Sequence, residues 1–296
     1  MRKLTLLARP VSGGRLIGLL GATFFGITAP LTRLALDGGS NPITVVGFRF
    51  LICVLAMSAA IKLLGQGYTL PPRTRWRTLG ISLVWPLGPL GYVSSIFFMP
   101  VSLAVLILYT YPLMVAAASP FMEGGKFGRA RICAFLLAFT GLAIALGPTA
   151  HDLDWRGMVF ALIAAIAVAT TLMLGRPLVV KQGVFKFSLY MNTGSTLLIT
   201  IIILATGGVA LPQTTTGWIG LAGTTFFFTG GMLLMFTAIR TVGSAVVALL
   251  MNLEPMIAIL AAAFILGERL TPVQLAGAMM VVGALCLSTR LGSAHS

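Results

Sequence analysis

Glu254 is the residue best placed to do chemistry in this sequence. It stands in the apolar run SAVVALLMNLEPMIAILAAAFILGERLTP (residues 244–272), with Asn252 two positions before it and Pro255 next to it. A carboxylate at the centre of a membrane helix costs about 2.5–3.5 kcal/mol on insertion scales, and such residues mark substrate or ion paths. There it can hold an ammonium group or carry a proton. Held by hydrogen bonds, it can equally staple a bend. Pro255 has no N–H to give to the Met251 carbonyl, so it kinks a helix. Asn252 lies about 200° round an ideal helix from Glu254, so the two share a face only if Pro255 distorts the turn. Its other use is an interhelical hydrogen bond.

Three further stretches carry groups of similar interest. Tyr109, Tyr111 and Pro112 lie in LYTYPLMVAAA (residues 108–118), where aromatic rings could stack on a cation. The run WPLGPLGY (residues 85–92) holds Pro86 and Pro89 with two glycines. Backbone groups freed there are tolerated at membrane depth only against protein or a water-filled cavity. That makes Trp85, Tyr92, Ser94 and Ser95 candidates for a cavity wall, with packing as the alternative for each. The matching run FFFTGG (residues 226–231) holds paired glycines, which suit close approach or bending. Arg49, about two turns into its own apolar run, could bind a substrate carboxylate, meet a helix C-terminus, or snorkel to the interface. Asn192, at comparable depth in a later run, reads as packing.

The elements that position these residues follow from composition. The chain is 296 residues, 58% hydrophobic and only 9% charged; soluble domains carry about 25% charged residues. So few charges cannot cover a soluble surface, and the chain reads as an all-α polytopic membrane protein. Ten spans fit, at about 16–36, 43–64, 76–98, 101–121, 129–147, 156–175, 185–206, 216–239, 243–266 and 272–290. The basic start is read as a cytoplasmic tail and a retained first span, because residues 16–36 are long for a cleaved signal. Tyr68, Trp76, Trp155 and Trp218 fall at span ends, as an interfacial aromatic belt does.

The net charge of +14 would suggest nucleic acid in a soluble protein. Here topology accounts for it, and no nucleic-acid partner is expected. Arg2, Lys3, Arg9, Arg15, Lys62, Arg73, Arg75, Arg77, Lys126, Arg129, Arg131, Arg176, Lys181, Lys186, Arg240 and Arg290 fall on one side. Only Arg33, Arg156 and Arg269 fall on the other, with Asp37, Asp152 and Asp154. The positive-inside rule then puts both termini in the cytoplasm. Cys53, Cys133 and Cys286 sit in apolar runs without ligand spacing, and the two histidines, His151 and His295, lie in a loop and at the tail. No metal, no cofactor and no catalytic constellation is expected. The absence of a GxxxxGKS run excludes a P-loop ATPase of that type.

The chain also repeats itself. Trp76 and Trp218, Gly88 and Gly230, Ser102 and Ser244, and Gly141 and Gly283 share a spacing of 142 residues. Thr110–Pro112 and Leu253–Pro255 match within one residue of that register, and an acid follows each, Glu123 and Glu268. Two five-span units, 16–147 and 156–290, are therefore expected between tails 1–15 and 291–296. Five is odd, so the second unit is inverted, as in many secondary transporters.

The NLEP helix, the LGERLT turn, QLAGAMMVVGAL, LYTYPLMVAAA and GFRF (Gly47–Phe50) together resemble the EamA-type transporters of the drug/metabolite transporter superfamily. The resemblance implies ten helices around a central cavity, lined largely by the third, fourth, eighth and ninth. It implies export or exchange of small metabolites. Glu123 departs from the pattern, since GGKFGRAR follows it in place of a GERLT-like turn. The expected function is a non-enzymatic secondary transporter of the cell inner membrane, exporting amino acids or related amines by alternating access. Its site would use Glu254, Asn252, Tyr111, Tyr92, Trp85, Ser95 and Arg49, on helices bent at Pro255, Pro112, Pro86 and Pro89. A multidrug or organic-cation exporter is the alternative, and a non-transporting membrane assembly subunit is the alternative of another class. A single deep carboxylate permits protons as a coupling partner without requiring them.

Overall fold

The computed structural model describes residues 11–111, 154–242, 250–251 and 253–293, with Met114, Cys133, Leu136, Leu137, Thr140, Gly141, Ala143 and Ile144 as isolated positions between them. These residues are helical or in short connections, with no strand among them. The helices are α1 Val11–Asp37, α2 Pro42–Leu63, α3 Pro72–Val84, α4 Leu87–Phe98, α5 Val101–Leu108, α6 Trp155–Gln182, α7 Val184–Thr206, α8 Thr215–Val242, α9 Glu254–Leu266 and α10 Pro272–Ser293. Six stretches among them are long and apolar enough to cross a membrane: Gly13–Asp37, Pro42–Leu63, Pro72–Phe98, Trp155–Gly175, Phe185–Ala205 and Thr215–Met235. The expected fifth span and the second half of the fourth lie largely outside the described residues. The ninth is described from Leu250 onward, apart from Asn252.

The helix ends follow from local chemistry. Asn41 caps α2, its Oδ1 accepting the Thr44 N–H at 2.9 Å, with Pro42 in the first turn. The α7 and α9 helices stop at Gly207 and Gly267, both at positive φ. Asp154 receives the Arg156 N–H at 2.9 Å and its guanidinium at 2.6 Å at the start of α6. Those hydrogen bonds hold the Asp154 carboxyl below its ordinary range. Arg33 pairs with Asp37 at the end of α1. Two of the three cations expected on the charge-poor side, Arg33 and Arg156, therefore carry their own anions.

Helix α5 is the centre. All eight of its residues are buried, as expected of a helix that is apolar all round. Around it, α1 packs along α8 and against α9, α4 packs on α6, and α7 packs on α2 and α3. Small residues set these distances. A Cβ on Gly220 would stand 2.5 Å from the Ala35 nitrogen and 2.7 Å from the Leu31 oxygen of α1. A Cβ on Gly91 would stand 2.8 Å from the Phe160 oxygen of α6. Between the glycine contacts, Phe24 meets Phe227 edge-on at 4.8 Å.

Backbone cannot yield as a side-chain tip can, so Gly220→Ala is expected to destabilise the protein by about 1–3 kcal/mol. Gly283→Ala, where a Cβ meets nothing within 4 Å among the described residues, should be neutral or slightly stabilising. Thermal unfolding of both variants in the same detergent checks this, and equal melting temperatures would refute the packing argument.

Candidate functional site

Two interruptions in the helical ladder create the site. After α5 the chain turns at Tyr109–Thr110, and the Thr110 N–H bonds the Ile107 carbonyl three residues back at 3.0 Å. Before α9 the chain turns at Leu253, whose N–H bonds the Leu250 carbonyl at 3.1 Å. Pro255 stands in the first turn of α9, where a missing N–H is tolerated. Met251, four residues before it, still loses a donor, and the Tyr109 hydroxyl turns to its carbonyl at a long 3.4 Å. Tyr109 and Met251 are 142 residues apart, the repeat spacing itself. The two interruptions therefore meet, and the residue that bridges them comes from the equivalent position of the other one.

Glu254 occupies the first turn of α9 without a side-chain cap at Leu253. Its carboxylate thus sits at the positive end of the helix dipole. It is partly exposed, while Tyr109 is 2% exposed and the protein core packs against Tyr92 and Tyr111. The Tyr109 hydroxyl comes close enough to interact with the Glu254 carboxylate. Tyr92 and Tyr111 lie within electrostatic range of it. Tyr109 and Tyr111 rings are 5.5 Å apart. Three tyrosines thus surround one carboxylate. Helix α5 spans about 12 Å from its start to Tyr109 and α9 about 20 Å from Glu254 to its end, both shorter than a hydrocarbon core of about 30 Å.

Arg49 is the second charge. It projects from α2, is 2% exposed, and donates from Nη2 to the hydroxyls of Thr32 on α1 and Thr224 on α8. Its guanidinium lies 5.3 Å from the Phe228 ring centre, a cation–π arrangement. Nε has no hydrogen-bond partner among the described residues. Arg49 and Tyr92 are within electrostatic range. Among the described residues the ion pairs are Arg33–Asp37 and Arg156–Asp154, so Arg49 and Glu254 do not pair with each other. Tyr92 is within electrostatic range of both charges, and neither has an ionic partner among the described residues.

The other expected residues take different places. The Trp85 indole N–H points to Asn192 Oδ1 of α7 at 3.4 Å, and Asn192 itself is buried and donates to the Ser188 carbonyl at 2.8 Å. Ser95 is fully buried and bonds the Tyr92 carbonyl of its own helix at 2.7 Å. Ser94 is buried. Pro86 caps α4 where α3 ends, and Pro89 lies buried in α4's first turn. Asn252 and Pro112 lie outside the described residues. Sequence reasoning missed Thr32, Thr224 and Phe228. A threonine in a membrane helix usually back-bonds its own carbonyls, as Thr32 also does at 2.7 Å to Thr28, so its type gave no signal. Neither of two clefts whose walls are described contains Glu254 or Arg49. One lies between α3 and α6, the other between α2 and α7. Among the described residues no cluster of three His, Cys, Asp or Glu side chains could hold a metal.

Glu268, in the turn between α9 and α10, holds the other end of α5. Its carboxylate accepts the Val101 N–H at 2.8 Å, the Ser102 N–H at 3.2 Å and the Ser102 hydroxyl at 2.7 Å. Pro100 gives α5 no side-chain cap, so the cap comes from 166 to 167 residues away.

A model of the EamA-like transporter family matches the chain twice, over residues 12–147 and 155–290. Two relatives from Bacillus subtilis (strain 168) bear the description uncharacterized transporter. YvbV is 26% identical over 277 residues, 89% of this chain and 87% of that one. YxxF is 26% identical over 207 residues, 66% of this chain and 64% of that one. A protein of known crystal structure superposes at a TM-score of 0.70 with 16% identity, over 96% of this chain and 99% of that one. That likeness speaks for the fold alone.

Proposed function

We propose, since the chain belongs to the EamA-like transporter family, that it exports small zwitterionic metabolites, amino acids foremost, by alternating access. The observation that carries this reading is the pair of interior charges within electrostatic range of Tyr92. Glu254 and Arg49 have no ionic partner among the described residues, and a buried charge without a partner is costly. A ligand bearing an ammonium and a carboxylate would complete both, with its side chain against the tyrosine rings. Proton coupling is not needed for this recognition.

The layout proposed with it is ten spans in two inverted units of five, in a bacterial inner membrane with both termini in the cytoplasm. The bond between Tyr109 and Met251 across the repeat spacing supports the inversion. The ion-paired arginines of the charge-poor side support the orientation. An organic-cation exporter is the second reading, favoured by the tyrosines around Glu254. Arg49 argues against it.

Counterflow in proteoliposomes separates the readings. An amino acid should exchange, and its decarboxylated amine and its N-acetyl derivative, each lacking one charge, should compete at least about tenfold more weakly. Exchange of quaternary amines without amino acids would establish the second reading instead. Exchange of neither would leave an assembly subunit.

A further inference from the structure

The cleft between α3 and α6 belongs to no part of the site above. Its walls are Ile81, Val84, Leu174 and Leu178, and its volume is about 310 Å³. Gly80, Thr170 and Thr171 also line it, and their small side chains are what leave it open. At one end stand Arg77 and Lys181, both exposed. Neither has an acidic partner among the described residues.

The surroundings say what fills it. On α6 the exposed apolar residues Val159, Leu162, Ile163, Ile166 and Leu174 recur at helical spacing, the pattern of a lipid-facing stripe. On α3, Trp76 and Leu83, seven residues apart, do the same. Both stripes run into the cleft, so it opens to the acyl phase. Trp76 is 67% exposed beside the cationic end, and the Arg75 guanidinium lies 5.8 Å from its ring. An exposed tryptophan with a basic neighbour marks the headgroup level. From Arg77 to Val84 the helix runs about 10 Å into the hydrocarbon. An apolar slot with two cations at headgroup depth is complementary to one molecule with an anionic head and an acyl tail.

We infer that the α3–α6 cleft is a binding site for an anionic glycerophospholipid of the leaflet facing the basic connectors. Arg77 and Lys181 take its phosphate, and the Gly80–Leu174 slot takes the first part of an acyl chain. Delipidated full-length protein in detergent, titrated with single lipids and read by native mass spectrometry, tests this. One phosphatidylglycerol should be retained in preference to phosphatidylcholine and phosphatidylethanolamine. Arg77→Ala with Lys181→Ala should weaken it about 25-fold, near fivefold for each cation. Gly80→Leu, which fills the slot and leaves both charges, should weaken it also. Arg75→Ala, which removes a charge beside the cleft, should not. Equal retention of phosphatidylglycerol and phosphatidylcholine would overturn the inference. So would parent-like binding by either the double or the Gly80 variant, or equal occupancy by glycerol 3-phosphate.

Discussion

Glu254→Gln is expected to lower amino-acid counterflow by about a hundredfold while the protein accumulates in the membrane as before. The amide keeps the shape and a hydrogen-bond acceptor for Tyr109, so α9 can start as it does now. What disappears is the charge that an ammonium group would meet. A hydrogen bond to a charged group contributes about 1.5–3 kcal/mol, and each 1.4 kcal/mol is tenfold. The loss should fall on exchange as well as on net export, because the charge is needed for binding. Glu254→Asp, with the charge set back by one methylene, should lie between. Parent-like counterflow by the Gln variant would remove Glu254 from the site.

Arg49→Met is expected to separate function from stability. Thr32 and Thr224 hydroxyls lie 2.9 Å apart and both bond the Thr28 carbonyl. They keep partners when the guanidinium goes. Taking a charge out of the interior in exchange for a well-packed apolar side chain removes its desolvation cost. The melting temperature should therefore hold or rise, while exchange of amino acids falls at least about thirtyfold. Exchange of the corresponding amine should fall far less. A variant that unfolds and transports both substrates equally poorly would mark Arg49 as a scaffold residue.

Much of this was legible in residue type and spacing, for physical reasons. Apolar length located six long stretches among the described residues because a bilayer demands it, and the family match extends over both expected units. Glu254 and Pro255 pointed to a kinked helix because neither suits a helix interior in lipid, and the chain turns at Leu253, just before them. Tyr109 was underweighted against Tyr111. The spacing of 142 maps Tyr109 onto Met251, the carbonyl that Pro255 orphans, so that bond was within reach of the sequence. Trp85 and Ser95 were beyond reach. They lie at and after the step from α3 to α4, where the chain leaves the 100°-per-residue register and a helical wheel no longer assigns faces. Arg49 could be placed by depth but not by partner, since nothing in Thr32 or Thr224 distinguishes them from other membrane threonines.

The cap on α5 also bears on how the chain is made. The first turn of α5 leaves the ribosome 166 to 167 residues before the carboxylate that satisfies it. At about 5–20 residues per second, that interval is roughly ten to thirty seconds. Throughout it, two backbone N–H groups and the Ser102 hydroxyl lack the carboxylate that satisfies them in the finished protein. Helix α5, the innermost element of the finished protein, therefore cannot take its final surroundings early. It completes its burial only after the turn before α10 has been synthesised. Biogenesis closes this protein from its last loop inward.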